Sequence, residues 1–189
     1  MLYPHRNWDF STTTSPGFPL PRHEGSGRSQ LRRDKLASMF APTFTDLTPA
    51  DQPEVQALIL AGLEEHWGTL DPTLNRDLDD MLMTYGHGQT ILTRANGRVV
   101  ATGTVVPRDQ ESAEIVRMSV CQSQRRTGLG RATVEQLCHR AKLMGFAKVQ
   151  LETSTSWTDV VAFYQRCGFT ITHTEVGQFG SDTWFERDL

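Results

Sequence analysis

A glycine- and arginine-rich segment, residues 125–131 with the sequence RRTGLGR, has the residue types and spacing that could bind an anion. Gly128 and Gly130 have no Cβ, so an anion could approach the backbone closely at both positions. A helix is predicted to begin here, and its free N–H groups and positive dipole end would point at the same place. The three arginines of the segment would add positive charge. These features favour a phosphate or pyrophosphate site.

Segment 125–131 taken alone is compatible with more than one kind of structure. A P-loop requires a lysine and then a serine or threonine directly after the glycines, whereas Arg131 and Ala132 stand there. A Rossmann fingerprint requires GxGxxG and an acidic residue at the end of the next strand, and only one GxG pair is present. A plain strand-to-helix turn with solvated arginines accounts for the segment as well as a pyrophosphate site does.

Alternating and helical apolar patterns predict the elements that would position this segment. The dipeptide Asn96-Gly97 is a strong hairpin signal, since both residues tolerate positive φ. The predicted order β-α-α-β-β-β-α-β-α-β-β is neither a Rossmann alternation nor a sandwich, and it indicates a mixed sheet with helices on both faces. Strands are predicted at 42–47, 90–95, 98–106, 113–120, 148–153, 169–174 and 183–188, and helices from Pro49 after a Thr48 cap, at 75–85, at 129–144, and from a Thr158 or Asp159 cap to Gly168.

The first 40 residues differ in composition from the rest of the chain. They are rich in Ser, Thr, Pro, Gly and Arg and lack apolar periodicity, so they could not bury enough surface to offset the entropy of ordering. We expect residues 1–40 to form a disordered extension and residues 41–189 to form one domain. Met39 is an alternative start, and scattered acidic residues argue against a transit peptide.

Composition excludes several other classes of function. The net charge of −3 argues against a general nucleic-acid binder, and no apolar run reaches the length of a membrane span. The three cysteines are an odd number without metal-ligand spacing, and the six histidines form no HxH or HExxH pair. We therefore expect a cytoplasmic protein with reduced thiols and no bound metal, acting without nucleic acid or membrane.

Four short segments, in this order, resemble the GNAT superfamily of N-acetyltransferases. The family's acetyl-CoA loop, Gln/Arg-x-x-Gly-x-Gly/Ala, is matched by Arg125, Gly128 and Gly130, about five residues after a strand ending in Val120. Leu151–Ser154, Ala162–Tyr164 and the pair Gly168-Phe169 follow at the family's spacing. The specific match covers about residues 114–169, and the lead-in from residue 43 agrees more loosely.

The resemblance implies an α/β (α+β) fold: a mixed, mainly antiparallel central sheet of six to seven strands flanked by helices, with splayed fourth and fifth strands. Acetyl-CoA would be the acyl donor, and its pantetheine arm would pair with strand backbone in the gap. Trp157 stands where an asparagine is common in the family, and Ser154 or Thr158 would substitute for its contacts. The implied acetyl-CoA contacts are Met118, Ser119, Val120, Arg125, Arg126, Thr127, Gly128, Leu129, Gly130, Arg131 and Ser154.

Two residues are candidates for the chemistry. Tyr164 resembles the family tyrosine that lies near the CoA sulfur, and a phenol can protonate a departing thiolate. Glu114 lies eleven positions before Arg125, as does the catalytic glutamate of the histone-acetyltransferase branch, and a buried carboxylate suits a base near neutral pH. The alternatives are a core tyrosine, a glutamate paired with an arginine such as Arg117, and a water chain as the base.

The acceptor would bind elsewhere in the fold. Glu65, His66 and Trp67 could hold a cationic amine, with the indole as a cation–π face, or they could be an ordinary helix end. His173 and the loop 177–182 could form the opposite wall. We expect an acetyltransferase that acts on a primary amine of a small molecule. A peptide amine acetyltransferase and a non-catalytic acyl-CoA-binding module are the alternatives, and the strand-rich C-terminus could pair with a second copy to form a homodimer.

Overall fold

A seven-stranded sheet in the order β1-β2-β3-β4-β5-β7-β6 forms the centre of the domain. The computed structural model describes residues 42–71, 73–177 and 180–189, so the predicted extension lies outside the described residues. All neighbouring strands are antiparallel except β4 and β5. The strands are β1 (Phe44–Asp46), β2 (Gln89–Ala95), β3 (Arg98–Pro107), β4 (Ser112–Val120), β5 (Lys148–Ser154), β6 (Thr170–Gly177) and β7 (Gly180–Asp188).

Helices cover both faces of the sheet, as predicted. They are α1 (Gln52–Trp67), α2 (Met81–Thr84), α3 (Leu129–Leu143) and α4 (Thr158–Arg166), with short 3₁₀ turns at Arg76–Leu78 and Gln122–Gln124. Side chains of α1 and α2 pack with Leu92, whereas those of α3 and α4 pack with Ile91. Because successive residues of a strand point to opposite faces, these two neighbours in β2 separate the two core layers.

The fourth and fifth strands diverge, which confirms the predicted splay. β4 and β5 pair at three positions only, Ser112–Glu114 with Lys148–Gln150. Beyond these positions β4 stays paired with β3 up to Val120, and β5 stays paired with β7 up to Ser154. A gap therefore opens between two strands that are each held on their other side.

A β-bulge lies in the diverging part of β4. Ser119 pairs with Thr102 and Val116 with Thr104, so Arg117 and Met118 both lie opposite Gly103. Arg117 has a φ of 54°, in the left-handed region. A bulge reverses the alternation of a strand. As a result Met118 packs in the layer under α3 and α4, while Arg117 bonds to Asp77 on the other side of the sheet.

The prediction that Thr48 caps the first helix is wrong. α1 begins at Gln52, and Pro53 rather than Pro49 lies in its first turn. Thr48 donates its backbone N–H and its hydroxyl to the carboxylate of Asp51, at 3.0 and 2.5 Å. These bonds close a turn ahead of the helix instead of capping it.

The second helix is much shorter than the predicted 75–85. Asn75 is left-handed at a φ of 62°, and the 3₁₀ turn that follows it does not continue. Asp80 then caps α2 by accepting a hydrogen bond from the N–H of Met83 at 2.9 Å. Asn tolerates the left-handed conformation and the Asp80 side chain takes a backbone N–H, so these residues break a helix that the apolar spacing alone would favour.

Two further predictions fail near the C-terminus. Neither Thr158 nor Asp159 caps α4: the capping position is Trp157, which makes no side-chain capping bond. The predicted loop 177–182 is largely strand, because Gly177 pairs with Gly180 and Glu175 with Asp182 in a hairpin. The sheet therefore reaches further along this edge than the sequence pattern indicated.

Candidate active site

A continuous cleft of about 2280 Å³ follows the gap between β4 and β5. We divide it into two regions. The loop half is lined by the end of β4, by residues of the segment 125–131, by Thr153 and Ser154 of β5 and by α4. The wall half is lined by Arg108, Glu114 and Glu152, by side chains of β6 and β7, and by five residues around α2: Arg76, Asp77, Thr84, Tyr85 and His87. The two halves meet along β4, so a group entering from one can meet a group entering from the other.

The backbone of segment 125–131 forms an amide-rich turn at the start of α3. Arg126 and Gly128 are left-handed, with φ of 63° and 95°. The hydroxyl of Thr127 donates to the carbonyl of Gln124 at 2.7 Å and fixes the turn. The first N–H groups of α3 have no acceptor within the helix. A Cβ at Gly128 would have open space around it, so the left-handed φ is what favours glycine there.

Gly130 has a packing role that the sequence did not indicate. A Cβ there would lie 3.4 Å from the ring of Phe163 and 3.8 Å from Val120. The glycine therefore lets α3, α4 and the end of β4 approach one another. Leu129 beside it is buried in a small cluster with Val100.

Two of the three arginines of the segment bind to other parts of the protein. Arg125 donates from Nε to the carbonyl of Val120 at 3.2 Å and pairs with Glu65 at 2.5 Å. Arg131 donates to the carbonyl of Arg166 at the end of α4. Arg126 is exposed. Glu65, predicted in the acceptor pocket, is thus held by the predicted phosphate loop.

At their ends, β4 and β5 do not hydrogen-bond to each other, and the backbone of each strand lines the loop half. Ser119 turns its hydroxyl to the carbonyl of Leu58 in α1, at 3.2 Å. On β5, the buried Ser154 shares a hydrogen bond of 2.9 Å with Ser156. The side chains of both serines therefore already make hydrogen bonds. The groups of these strands that a ligand could bind are the peptide groups that face the gap.

Tyr164 is a buried residue of α4, 8% exposed. Its hydroxyl donates to Sδ of Met118 at 3.7 Å, and its ring packs on Phe169 and Phe185. Burial raises the pKa of Tyr164 above its usual range. The phenol therefore stays protonated, and a thioether is a weak acceptor that a better one could displace.

Glu114 lines the same cleft from the first part of β4. Its carboxylate pairs with Arg108 at 3.1 Å and not with Arg117. Burial raises the pKa of Glu114, and the charge of Arg108 offsets part of the rise. The guanidinium of Arg108 also lies 4.4 Å from the ring centre of Trp184. Arg108 is therefore held between Glu114 and Trp184, and it keeps the Glu114 carboxylate in position.

His66 and Trp67 form an aromatic cluster with Trp157, which stands where the resemblance implies an asparagine. The His66 and Trp157 rings stack at 4.1 Å, and Trp67 meets Trp157 at 5.3 Å. The end of α1 therefore touches the start of α4 across the mouth of the gap. The structure places His66 and Trp67 at this junction rather than deep in the wall half.

Several residues of the wall half gave no recognisable signal in the sequence. Arg108 lay in a predicted turn, and Trp184 was notable only for its place in a strand. His173, which was predicted there, lies opposite Trp184 with its ring parallel at 5.7 Å. Acidic side chains also line this half: Glu152, Glu175 and Asp182. Burial and the charge of Glu175 raise the pKa of Asp182.

The described ranges contain no group of three or more His, Cys, Asp or Glu side chains arranged to hold a metal ion. Within the same ranges, no helix is long and apolar enough to cross a membrane.

Comparison with known proteins identifies relatives of the chain. A sequence model of the acetyltransferase (GNAT) family matches residues 53–169. The uncharacterized N-acetyltransferase YjgM of Escherichia coli is 25% identical over 138 residues, 68% of this chain and 82% of that protein.

Solved structures with low identity share the fold. A GNAT-family acetyltransferase from Staphylococcus aureus Mu50 superposes with a TM-score of 0.70 at 18% identity, covering 79% of this chain and 99% of that one. A GNAT-family acetyltransferase from Elizabethkingia anophelis, solved with acetyl-CoA bound, superposes with a TM-score of 0.60 at 19% identity over the same shares.

Proposed function

We propose, from the premise that the chain belongs to the acetyltransferase (GNAT) family, that it moves an acetyl group from acetyl-CoA to a primary amine of a small molecule. One observation carries the proposal. The gap between β4 and β5 runs from the amide-rich turn at the start of α3 to Glu114 and passes Tyr164. Groups suited to binding phosphate, to holding an extended arm and to transferring a proton would all lie along this one cleft.

The residues of the loop half suit acetyl-CoA. The amides of the first turn of α3 and the exposed Arg126 would hold the pyrophosphate. The peptide groups of Met118, Ser119 and Val120 would pair with the pantetheine arm as an added strand does. The bound acetyl-CoA of the Elizabethkingia relative supports this assignment for the fold. The wall half would receive the acceptor.

Glu114 would act as the general base. The nitrogen must lose a proton as it forms its bond to the thioester carbon, and a carboxylate accepts it. The raised pKa of Glu114 brings this carboxylate closer to neutral pH, where a base works best. Arg108 would keep the side chain directed at the cleft, because it holds one carboxylate oxygen at 3.1 Å.

Tyr164 would act as the general acid. When the carbon–sulfur bond breaks, the electron pair goes to sulfur, and Tyr164 would supply the proton. Its neutral phenol can leave the weak bond to Met118 Sδ for a thiolate, which is a stronger acceptor. A buried thiolate would also be costly to leave charged, so protonation is favoured there.

The proposed acceptor class rests on the charge of the wall half, which is lined by Glu114, Glu175 and Asp182. Acidic side chains in the wall half would attract a cationic amine before it loses its proton. A peptide amine remains the alternative acceptor.

A thiol-release assay with acetyl-CoA and a panel of amines and short peptides tests the proposal. We expect turnover with at least one small amine and slower turnover with peptides. Faster turnover with peptides would favour the peptide enzyme. Binding of acetyl-CoA with no turnover on any acceptor would favour a non-catalytic acyl-CoA-binding module.

A further inference from the structure

We infer that Arg117 and Asp77 are positioning residues that set the wall half in the geometry acceptor binding requires. Arg117 donates from Nε and Nη2 to the two carboxylate oxygens of Asp77, at 2.7 and 2.6 Å. The two side chains are 10% and 15% exposed, so the pair is better shielded than the Arg108–Glu114 and Arg125–Glu65 pairs of the same cleft. This inference rests on the proposed function, because it concerns the acceptor side of the same reaction.

The network around this pair ties both ends of residues 75–85 to one point in β4. Arg117 Nη1 donates to Oδ1 of Asn75 at 3.0 Å, at the start of the segment. The hydroxyl of Tyr85, at its end, donates to Asp77 at 2.5 Å. Between them lie only a 3₁₀ turn and the four-residue α2. A segment with so little regular structure takes its position from such anchors.

The ion pair that anchors residues 75–85 is made by a residue with a strained backbone. Arg117 is at a φ of 54°, which non-glycine residues seldom adopt, and it directly precedes Met118, the hydrogen-bond partner of Tyr164. Such strain persists only where surrounding contacts over-determine it, and it concentrates at functional sites. At the bulge, Arg117 therefore faces the wall half, and the next residue, Met118, contacts the proposed acid, Tyr164.

A buried ion pair is weak evidence for a role in stability alone. The cost of removing both charges from water offsets most of their attraction, and an apolar replacement often serves as well. A bidentate arginine–carboxylate pair does fix geometry, since both groups are planar. We therefore expect loss of the pair to alter acceptor binding more than acetyl-CoA binding, because β3 holds the bulge on its other side.

The test compares Asp77→Asn with a matched pair outside the cleft. Glu135 and Arg187 form a similar two-bond pair, at 2.9 and 2.9 Å, between α3 and β7. For Asp77→Asn we expect the acceptor KM to rise at least about tenfold, with kcat and acetyl-CoA Kd changed less than about threefold. Glu135→Gln should leave all three unchanged. Tyr85→Phe removes one hydroxyl and should raise KM about threefold, which provides a test if Asp77→Asn does not fold.

Hydrogen exchange of residues 75–85 gives a readout independent of turnover. Faster exchange there in Asp77→Asn, but not in Glu135→Gln, supports the inference even if no acceptor is known. An unchanged acceptor KM in Asp77→Asn and Tyr85→Phe, or equal losses of acceptor and acetyl-CoA binding, would overturn it. Failure of the parent protein to acetylate any amine would contradict the proposed function, while unaltered exchange in Asp77→Asn would contradict the positioning role.

Discussion

The loop half and the wall half of the cleft are built in different ways. The loop half depends on local backbone conformation, with two left-handed residues, Arg126 and Gly128, within one short segment. The wall half depends on side chains far apart in sequence, such as Arg117 with Asp77 and Arg108 with Trp184. A short motif can therefore indicate what the loop half binds, whereas only the assembled fold brings the wall half together.

The largest effect is expected where the loop half depends on one φ angle. Gly128→Val should weaken acetyl-CoA binding about 1000-fold, roughly 4 kcal/mol, from left-handed strain and lost amide contacts to phosphate. Titration calorimetry measures this change.

Gly97→Val is the matched control for that variant. Gly97 is also left-handed, at a φ of 79°, with open space around a Cβ, but it lies in the β2–β3 turn. It should lower the melting temperature and leave acetyl-CoA affinity unaltered. If the parent and Gly128→Val bound acetyl-CoA with equal affinity, the assignment of the phosphate site to residues 125–131 would be wrong.

The next effect lies where the two halves meet. Tyr164→Phe should lower kcat about 100-fold, the usual scale of a lost general acid, with acetyl-CoA affinity kept within about threefold. Steady-state kinetics and calorimetry separate the two quantities. If the variant kept the full kcat, Tyr164 would be a core residue with no role as an acid.

Glu114 should give a smaller effect that depends on pH. A base works when ionised, so kcat/KM should fall as pH falls through the pKa of Glu114, which burial raises from its ordinary value. Glu114→Gln should lower the plateau about tenfold and flatten this acidic limb. A full acidic limb in the variant would point to another base, such as a water chain.

The smallest effect is expected at the ion pair that joins α1 to the loop half. Glu65 and Arg125 are 35% and 39% exposed, and exposed pairs contribute about 1 kcal/mol or less. Glu65→Gln should change acetyl-CoA affinity and acceptor KM less than about threefold, measured at low and moderate salt. A loss of acceptor binding of tenfold or more would return Glu65 to the acceptor pocket predicted from the sequence.

The sequence predicted those parts of the fold that depend on regular patterns. The seven strands, the splay after Glu114 and helix α3 follow from apolar periodicity and from the family resemblance. It did not predict the break at Asp80, since the apolar spacing there still suits a helix, while the Asp80 side chain accepts the N–H of Met83 and starts a new helix.

The same division holds for the site. Gly128, Glu114 and Tyr164, which the family resemblance singled out, all line the cleft, and their roles stay predictions. The bulge at Arg117 was not foreseen, because Arg117 makes its ion pair with a residue 40 positions away, which the local pattern of β4 does not indicate. Glu65 and His66 were assigned to the acceptor, yet their contacts are Arg125 and Trp157, which sequence spacing could not show.

A crystal structure of the protein with acetyl-CoA tests the division of the cleft most directly. We expect the pyrophosphate on the amides of the first turn of α3, the pantetheine arm between β4 and β5, and the thioester sulfur within hydrogen-bond distance of the Tyr164 hydroxyl, with the wall half left open. A pyrophosphate bound away from residues 125–131, or an arm that fills the wall half beside Glu152 and Trp184, would contradict the account.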